Sequence, residues 1–128
     1  MAVNQGQIFH RGTVQFTAAE SIAANLLVTR TTAADTVGLC GSAGSPIAIN
    51  ATGSTIPSGA VGEFQLLTVG DRVLGVSNGT ITVADFVKAA ASGQVAPAAG
   101  VTTRHADTFG QADSTISGSG NFFFWVTA

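Results

Sequence analysis

The chain has 128 residues and a formal net charge of −2, and 45% of its residues are hydrophobic whereas only 9% are charged. A chain of this length forms one domain that buries roughly two thirds of its unfolded surface, and two full-sized domains do not fit. The high apolar content excludes an intrinsically disordered chain. The five Lys and Arg residues give no basic stripe for nucleic acid.

The sequence contains no apolar run of about 18 residues that could form a membrane-spanning helix. Its polar start, Met1 to Gly6, lacks the pattern of a signal peptide, so we expect a protein made and kept in a cytosol-like compartment. Cys40 is the single cysteine, which leaves no internal disulfide and no CxxC site. We therefore expect no metal, no cofactor and no membrane partner.

Short apolar runs rich in Val, Ile and Phe alternate with turn residues at intervals of about eight to twelve residues. This spacing predicts an all-β fold, a sandwich or small barrel, with at most one short helix. The predicted strands are 12–17, 26–30, 36–40, 46–50, 62–69, 72–76, 80–81, 86–89, 95–98 and 121–126.

Two stretches carry competing local signals. Residues 83–91 follow a capping-box pattern that favours a short helix, but a Ser92-Gly93 turn between apolar runs favours a hairpin. Gly75 to Gly79 matches the G-x-S-x-G pattern of a nucleophile elbow, yet Asn78-Gly79 is also a strong hairpin signal between 73–76 and 80–83. The sequence favours a hairpin in both places.

The two halves of the chain look alike. An offset of 59 residues places Ile22 on Ile81, an offset of 60 places Ile56 on Ile116, and an offset of 58 places Gly62 on Gly120. Two related sheet motifs that close one core explain these matches. Chance similarity in a chain rich in Ala, Thr and Gly is the alternative.

No set of residues makes a convincing catalytic or metal site. His10 and His105 are the only histidines, and neither stands at metal-ligand spacing. His105 with Asp107 and a serine such as Ser77 could be drawn as a triad, but serine is so frequent here that such combinations are unavoidable. We predict that the protein is not an enzyme.

The C-terminal run from Asn121 to Val126 is the most informative segment. Side chains alternate between the two faces of a strand, so Phe122, Phe124 and Val126 point one way and Phe123 and Trp125 the other. One set fills the core. The second is covered either by another layer of the same domain or by a neighbouring subunit.

Residues 1–12 lead into the first predicted strand and are interpreted as an N-terminal arm, with 13–128 as a single β domain. An ordinary frayed terminus is the alternative. Ile8 and Phe9 form an apolar pair beside His10 and Arg11, whose side chains carry hydrogen-bond donors. This combination favours an arm that contacts a partner. The candidate contact residues of the chain are Ile8, Phe9, His10, Arg11, Phe123 and Trp125.

A series of short motifs runs through residues 16–126 in a fixed order. They are 16–28 (compared with I-A-A-N-x-x-V), 46–49 (I-G-V), 56–67 (A-x-x-G-E-x-V-x-V), 79–87 (G-x-I-x-x-G-D-x-V), 92–97 (D-G-x-A-x-P), 109–112 (I-G-x-A) and 118–122 (A-G-x-x-x-x-V). In this order they resemble the small capsid cement or decoration proteins of tailed bacteriophages. Departures are Ala48 and Ala84, which replace glycines, and the strongly aromatic ending.

The resemblance implies a β-barrel or β-tulip-like domain on the outer surface of a mature phage head. It also implies a structural role: homotrimers that bind the major capsid protein and tie neighbouring capsomers together, without catalysis. Such a virion protein would be made in the host bacterial cytoplasm. The alternative function is a phage fibre or a receptor- or carbohydrate-binding β module, for which exposed Trp or Tyr platforms beside Asp, Asn and Arg are expected.

Overall fold

A computed structural model describes residues 12–42, 44–98 and 108–127. They form ten strands and one three-residue 3-10 turn, Ala91–Gly93, which confirms the predicted all-β fold with at most one short helix. The strands are β1 (Thr13–Ala18), β2 (Leu27–Arg30), β3 (Thr36–Leu39), β4 (Ala48–Ile49), β5 (Val61–Leu66), β6 (Arg72–Asn78), β7 (Phe86–Ala89), β8 (Val95–Pro97), β9 (Thr108–Ala112) and β10 (Ser119–Val126).

The strands close into two five-stranded barrels with the same topology. Barrel 1 has the order β1-β3-β2-β4-β5 and barrel 2 the order β6-β8-β7-β9-β10, each closed by pairing of its first and last strands. In both, the first strand runs parallel to the third and antiparallel to the fifth. The two related sheet motifs expected from the sequence are thus two small barrels.

Outside the strands, one isolated pair of residues fixes the same loop in each barrel. Ile22 and Ile56 exchange two backbone hydrogen bonds of 2.9 Å, and Ile81 and Ile116 exchange bonds of 2.9 and 2.8 Å. All but partly exposed Ile116 are buried. These pairs confirm the offsets of 59 and 60 found in the sequence.

The offset of 58 is wrong for the strand that follows. β5 pairs Gly62 with Phe16, whereas β10 pairs Phe122 with Gly75. The offset of 59 residues that matches Ile22 with Ile81 also places Phe16 on Gly75. The strand partners of these two residues are Gly62 and Phe122, so Gly62 corresponds to Phe122 rather than to Gly120. The glycine and phenylalanine that recur at an offset of 58 are therefore shifted by two residues relative to the strand pairing.

Strands β2 and β4 contribute side chains to two hydrophobic clusters, because neighbouring side chains of a strand point to opposite faces. Val28 and Ala48 belong to the cluster inside barrel 1. Leu27 and Ile49, with Cys40, pack instead into the cluster of barrel 2. One wall of barrel 1 is therefore buried on both sides, and its outer side chains belong to the cluster of barrel 2. The single core expected from the sequence is thus wrong, because each barrel closes around a cluster of its own.

The structure decides the local alternatives. β7 and β8 form an antiparallel hairpin around the turn at Ser92-Gly93, which confirms the hairpin over the helix at 83–91. The hairpin predicted at Asn78-Gly79 is wrong, because β6 pairs with β10 and β8 and Ile81 makes only the bridge to Ile116. Strand β9 was not predicted.

Candidate interaction surface

The C-terminal strand β10 separates its side chains as predicted. Phe122, Phe124 and Val126 are buried in barrel 2, while Phe123 and Trp125 are 37% and 41% exposed on the outer wall. Barrel 2 therefore leaves its second aromatic pair partly exposed.

Pairing with β6 extends this exposed pair into a continuous surface. Trp125 lies opposite Arg72, Phe123 opposite Leu74, and Asn121 opposite Val76. These side chains point outward, because the alternate residues of β6 are buried in the barrel. We call the outer surface made by Arg72, Leu74, Val76, Phe123 and Trp125 the aromatic face.

Arg72, the charged residue of the aromatic face, contacts Phe123 of that face and Asp113 beside it. The guanidinium carbon of Arg72 lies 3.9 Å from the centroid of the Phe123 ring, a cation–π contact. The Nε of Arg72 donates to Oδ2 of Asp113 at 2.6 Å. Hydrogen bonds from Arg72 and from the side chain of Trp125 hold the pKa of the Asp113 carboxyl below its usual range. Arg72 and Asp113 thus contact both aromatic side chains.

The backbone beneath the aromatic face is also satisfied. The Phe123 carbonyl accepts from the Asp113 N–H at 2.9 Å, and the Phe123 N–H donates to the Ser114 hydroxyl at 3.2 Å. A closed barrel offers no free strand edge there. Contacts at this surface must therefore be made by side chains.

Ser77, the serine of the G-x-S-x-G match, does not occupy a nucleophile elbow. Ser77 lies inside strand β6, is buried, and donates its hydroxyl toward the carbonyl oxygens of Gly118 at 3.0 Å and Gly120 at 3.3 Å. The hydroxyl closes the loop before β10, so the G-x-S-x-G match is structural.

Several candidate residues lie outside the described part of the chain. These are the contact residues Ile8, Phe9, His10 and Arg11, and the pair His105 and Asp107. Of the predicted arm, only Gly12 is described, and its carbonyl accepts a hydrogen bond from the Leu66 N–H.

A metal cluster and a membrane-spanning helix are both absent from residues 12–42, 44–98 and 108–127. Among those residues, no three His, Cys, Asp or Glu side chains cluster where they could hold a metal ion. In that part of the chain, no helix has the length and apolar character needed to cross a membrane. The sequence alone did not identify Arg72 and Asp113 as neighbours of the exposed aromatic side chains. The two residues are 41 positions apart, and only the barrel brings them together.

Comparison with known proteins identifies the architecture. No family model and no curated protein matches this sequence. Among solved structures, the chain is similar to the N base of the head fiber gp8.5 of bacteriophage phi29, with a TM-score of 0.74 at 12% sequence identity. The match covers 90% of this chain and 92% of that one, so the two share this fold over nearly their whole lengths.

Proposed function

We propose that this chain is a non-enzymatic structural protein of the outer surface of a phage head, where it decorates the shell and cements neighbouring capsomers. The observation that carries the proposal is the fold shared with a head fiber base over nine tenths of both chains. The partner is the major capsid protein, and the assembled form is a homotrimer. Neither nucleic acid nor a membrane is a partner.

The surface composition supports a role in assembly. Only 9% of the residues are charged, so the protein has little long-range attraction or repulsion toward other proteins. The aromatic face adds Trp and Arg, the residue types that most often dominate protein interfaces. Many copies on one shell would act together, so each contact can be modest while the lattice gains much stability.

The second candidate function is the base of a fibre that projects from the head. The similar structure supports this function directly, because that protein is the base of a head fiber. An exposed Trp125 beside Arg72 and Asp113 also meets the expectation for a receptor- or carbohydrate-binding module.

Co-sedimentation with expanded phage heads that lack the protein tests both candidates. Saturable binding at a fixed ratio to the major capsid protein, with heads that then survive higher temperature, supports the cement function. Saturation at few sites without thermal protection supports a fibre base. Absence of binding by the folded chain contradicts both and makes glycan binding the next assay.

A variant lacking residues 1–11 tests the N-terminal contact residues Ile8, Phe9, His10 and Arg11. We expect weaker binding to heads and a nearly unchanged melting temperature, because β1 begins only at Thr13. A large loss of stability would mean that the segment belongs to the fold.

A further inference from the structure

We propose that Asn78 is a site of spontaneous covalent modification, at which the side chain closes onto the following backbone nitrogen, loses ammonia and reopens as aspartate or isoaspartate. The inference goes beyond the proposed function and does not depend on it. The site is the Asn78-Gly79 pair at the end of β6, which does not form the hairpin predicted from the sequence.

The reaction consumes only water and needs no oxidant, reductant or cofactor. The Gly79 backbone nitrogen loses its proton to solvent and attacks Cγ of Asn78, which closes a succinimide ring. The Cγ–Nδ2 bond then breaks, and Nδ2 leaves as ammonia with a proton taken from water. Water next adds to either ring carbonyl carbon and breaks its bond to nitrogen, which gives aspartate or isoaspartate. Because the attacking nitrogen is the next atom group in the chain, proximity favours the ring closure.

The position of Asn78 in the fold leaves this ring closure accessible. Asn78 is exposed and is the last residue of β6, so turning its peptide bond to Gly79 disturbs at most the terminal pair with Ser119. Strand ends open locally at a lower free energy than strand centres. Gly79 has no side chain to hinder the approach, and a β-carbon built there would meet none of the described atoms within 4 Å.

The other asparagines that the structure describes lack this combination. Asn121 is also exposed, but it lies in the ladder of β10 and is followed by the buried side chain of Phe122. Asn25 is followed by a leucine. Asn50 is buried, and its Nδ2 is held by three carbonyl oxygens. The reaction should therefore be selective for Asn78.

The isoaspartyl product would alter the loop that follows β6. Its main chain runs through the β-carbon, which inserts one carbon–carbon bond of about 1.5 Å before Gly79. Directly after this point, Thr80 Oγ1 accepts from the Gly118 N–H at 3.2 Å, and Ile81 exchanges two backbone hydrogen bonds with Ile116. The longer connection moves these groups out of register, so isoaspartate should weaken the loop whereas aspartate should not.

Timed incubation of the folded full chain at mildly alkaline pH tests the site. Ion-exchange chromatography detects the product, because each event makes the net charge one unit more negative than −2. Peptide mapping by mass spectrometry locates it, and heavy-oxygen water labels the carboxylates formed when the ring hydrolyses. The test variant is Gly79→Ala, whose methyl group has space in the fold, and Asn121 is the internal control. Circular dichroism shows that each sample is folded.

We expect modification at Asn78, at a rate that rises with pH because the attacking nitrogen must lose a proton. Gly79→Ala should slow it by at least about tenfold, and Asn121 should react at least about tenfold more slowly than Asn78, because a side chain on the following residue hinders ring closure. Modification of the denatured chain but not of the folded chain would overturn the proposal. A folded Gly79→Ala variant that reacts at the wild-type rate would overturn it as well.

The melting temperature tests the effect on the loop. The more negative ion-exchange fraction of aged wild type is compared with freshly prepared Asn78→Asp, which carries the aspartyl product alone. A melting temperature lower by about 3 °C or more in the aged fraction supports the altered register. Equal melting temperatures, with isoaspartate present in the peptide map, would refute the effect on the loop.

Discussion

Gly75 in β6 stands directly opposite Phe122 in β10. The corresponding pair in barrel 1 has the residues exchanged, with Phe16 in the first strand and Gly62 in the last. Each phenylalanine packs near a second ring, Phe16 at 6.1 Å from Phe64 and Phe122 at 5.7 Å from Phe124. The two barrels keep one aromatic pair in the core while supplying it from different strands.

The first prediction concerns the glycine of this pair. A β-carbon at Gly75 would lie 2.8 Å from Cε1 of Phe124 and 3.4 Å from Val95. Gly75→Ala should therefore destabilise the protein by about 1–3 kcal/mol through overpacking, measured by chemical denaturation. Gly79→Ala is the control, since its β-carbon would meet nothing within 4 Å. Equal effects of the two substitutions would contradict this account.

The second prediction concerns Ala84, which lies in the loop before β7. Its φ is +76°, a left-handed conformation that is unfavourable for a residue with a β-carbon. Its side chain is exposed, so little packing is lost on its removal. Ala84→Gly should stabilise the protein by about 0.5–1 kcal/mol.

Ala51→Gly provides the control for Ala84, because Ala51 is exposed and does not have positive φ. That substitution should be neutral or slightly destabilising, since glycine gains entropy in the unfolded chain. A similar gain in thermal stability at both positions would show that backbone strain is not the cause.

The sequence predicted most strands because they combine β-branched or aromatic residues with clear turn signals. It missed β9, where Phe109 is the only large apolar residue. Gly110 in that strand permits close approach, since a β-carbon there would lie 2.7 Å from the Trp125 carbonyl oxygen. Strand β9 is stabilised by pairing with β7 and β10, and these distant strands leave no pattern in the local sequence.

The predicted Asn78-Gly79 hairpin was wrong for a related reason. The turn signal is local, but β6 gains seven paired residues with β10, more than 40 positions away in the chain. The exposed side of β10 was predictable from alternation alone. Its contacts with Arg72 and Asp113 were not, because they depend on how the barrel closes.

The third prediction concerns the buried amide of Asn50. Its Nδ2 donates to the carbonyl oxygens of Ile22, Ala23 and Ser54, while Oδ1 accepts from the N–H and hydroxyl of Thr52. Asn50→Asp would point a carboxylate oxygen at carbonyl oxygens. We expect a loss of at least about 2 kcal/mol at neutral pH, from the missing donor and the buried charge.

Acid should partly reverse the Asn50→Asp defect, because protonation restores a donor and removes the charge. The matched control is Asn78→Asp at the exposed end of β6, which should change stability by less than about 0.5 kcal/mol. Denaturation at neutral and acidic pH measures both. A pH-independent loss at Asn50 would argue against the electrostatic cause.

The fourth prediction concerns the junction between the barrels. The Cys40 side chain is buried there, and its carbonyl accepts from the Gly93 N–H at 2.8 Å. Burial raises the pKa of the Cys40 thiol. The native protein should therefore react slowly with a thiol reagent compared with the unfolded chain.

Gly93→Ala should speed this reaction by loosening the junction. Gly93 has a φ of +76°, and a β-carbon there would lie 2.8 Å from the Leu27 carbonyl oxygen. Both strain and overpacking act at one position, so we expect a loss of about 2–4 kcal/mol. Gly79→Ala again serves as control, and thiol labelling of a folded Gly93→Ala variant at the wild-type rate would contradict this account.

The fifth prediction is a pH dependence of the aromatic face. Hydrogen bonds from Arg72 and Trp125 lower the Asp113 pKa, so the native state favours the carboxylate more than the unfolded chain does. The stabilisation is present above the ordinary aspartate pKa and is lost as the pH falls through the lowered value. Because Asp113 is on the surface, the effect on Trp125 should exceed the effect on global stability.

Trp125 emission in the folded protein should therefore change with a midpoint below the usual aspartate range, while the far-ultraviolet circular dichroism stays constant. Asp113→Asn should abolish this transition, because the amide does not titrate, and Asp35→Asn should leave it in place. If both variants retain the transition, another group controls the Trp125 environment.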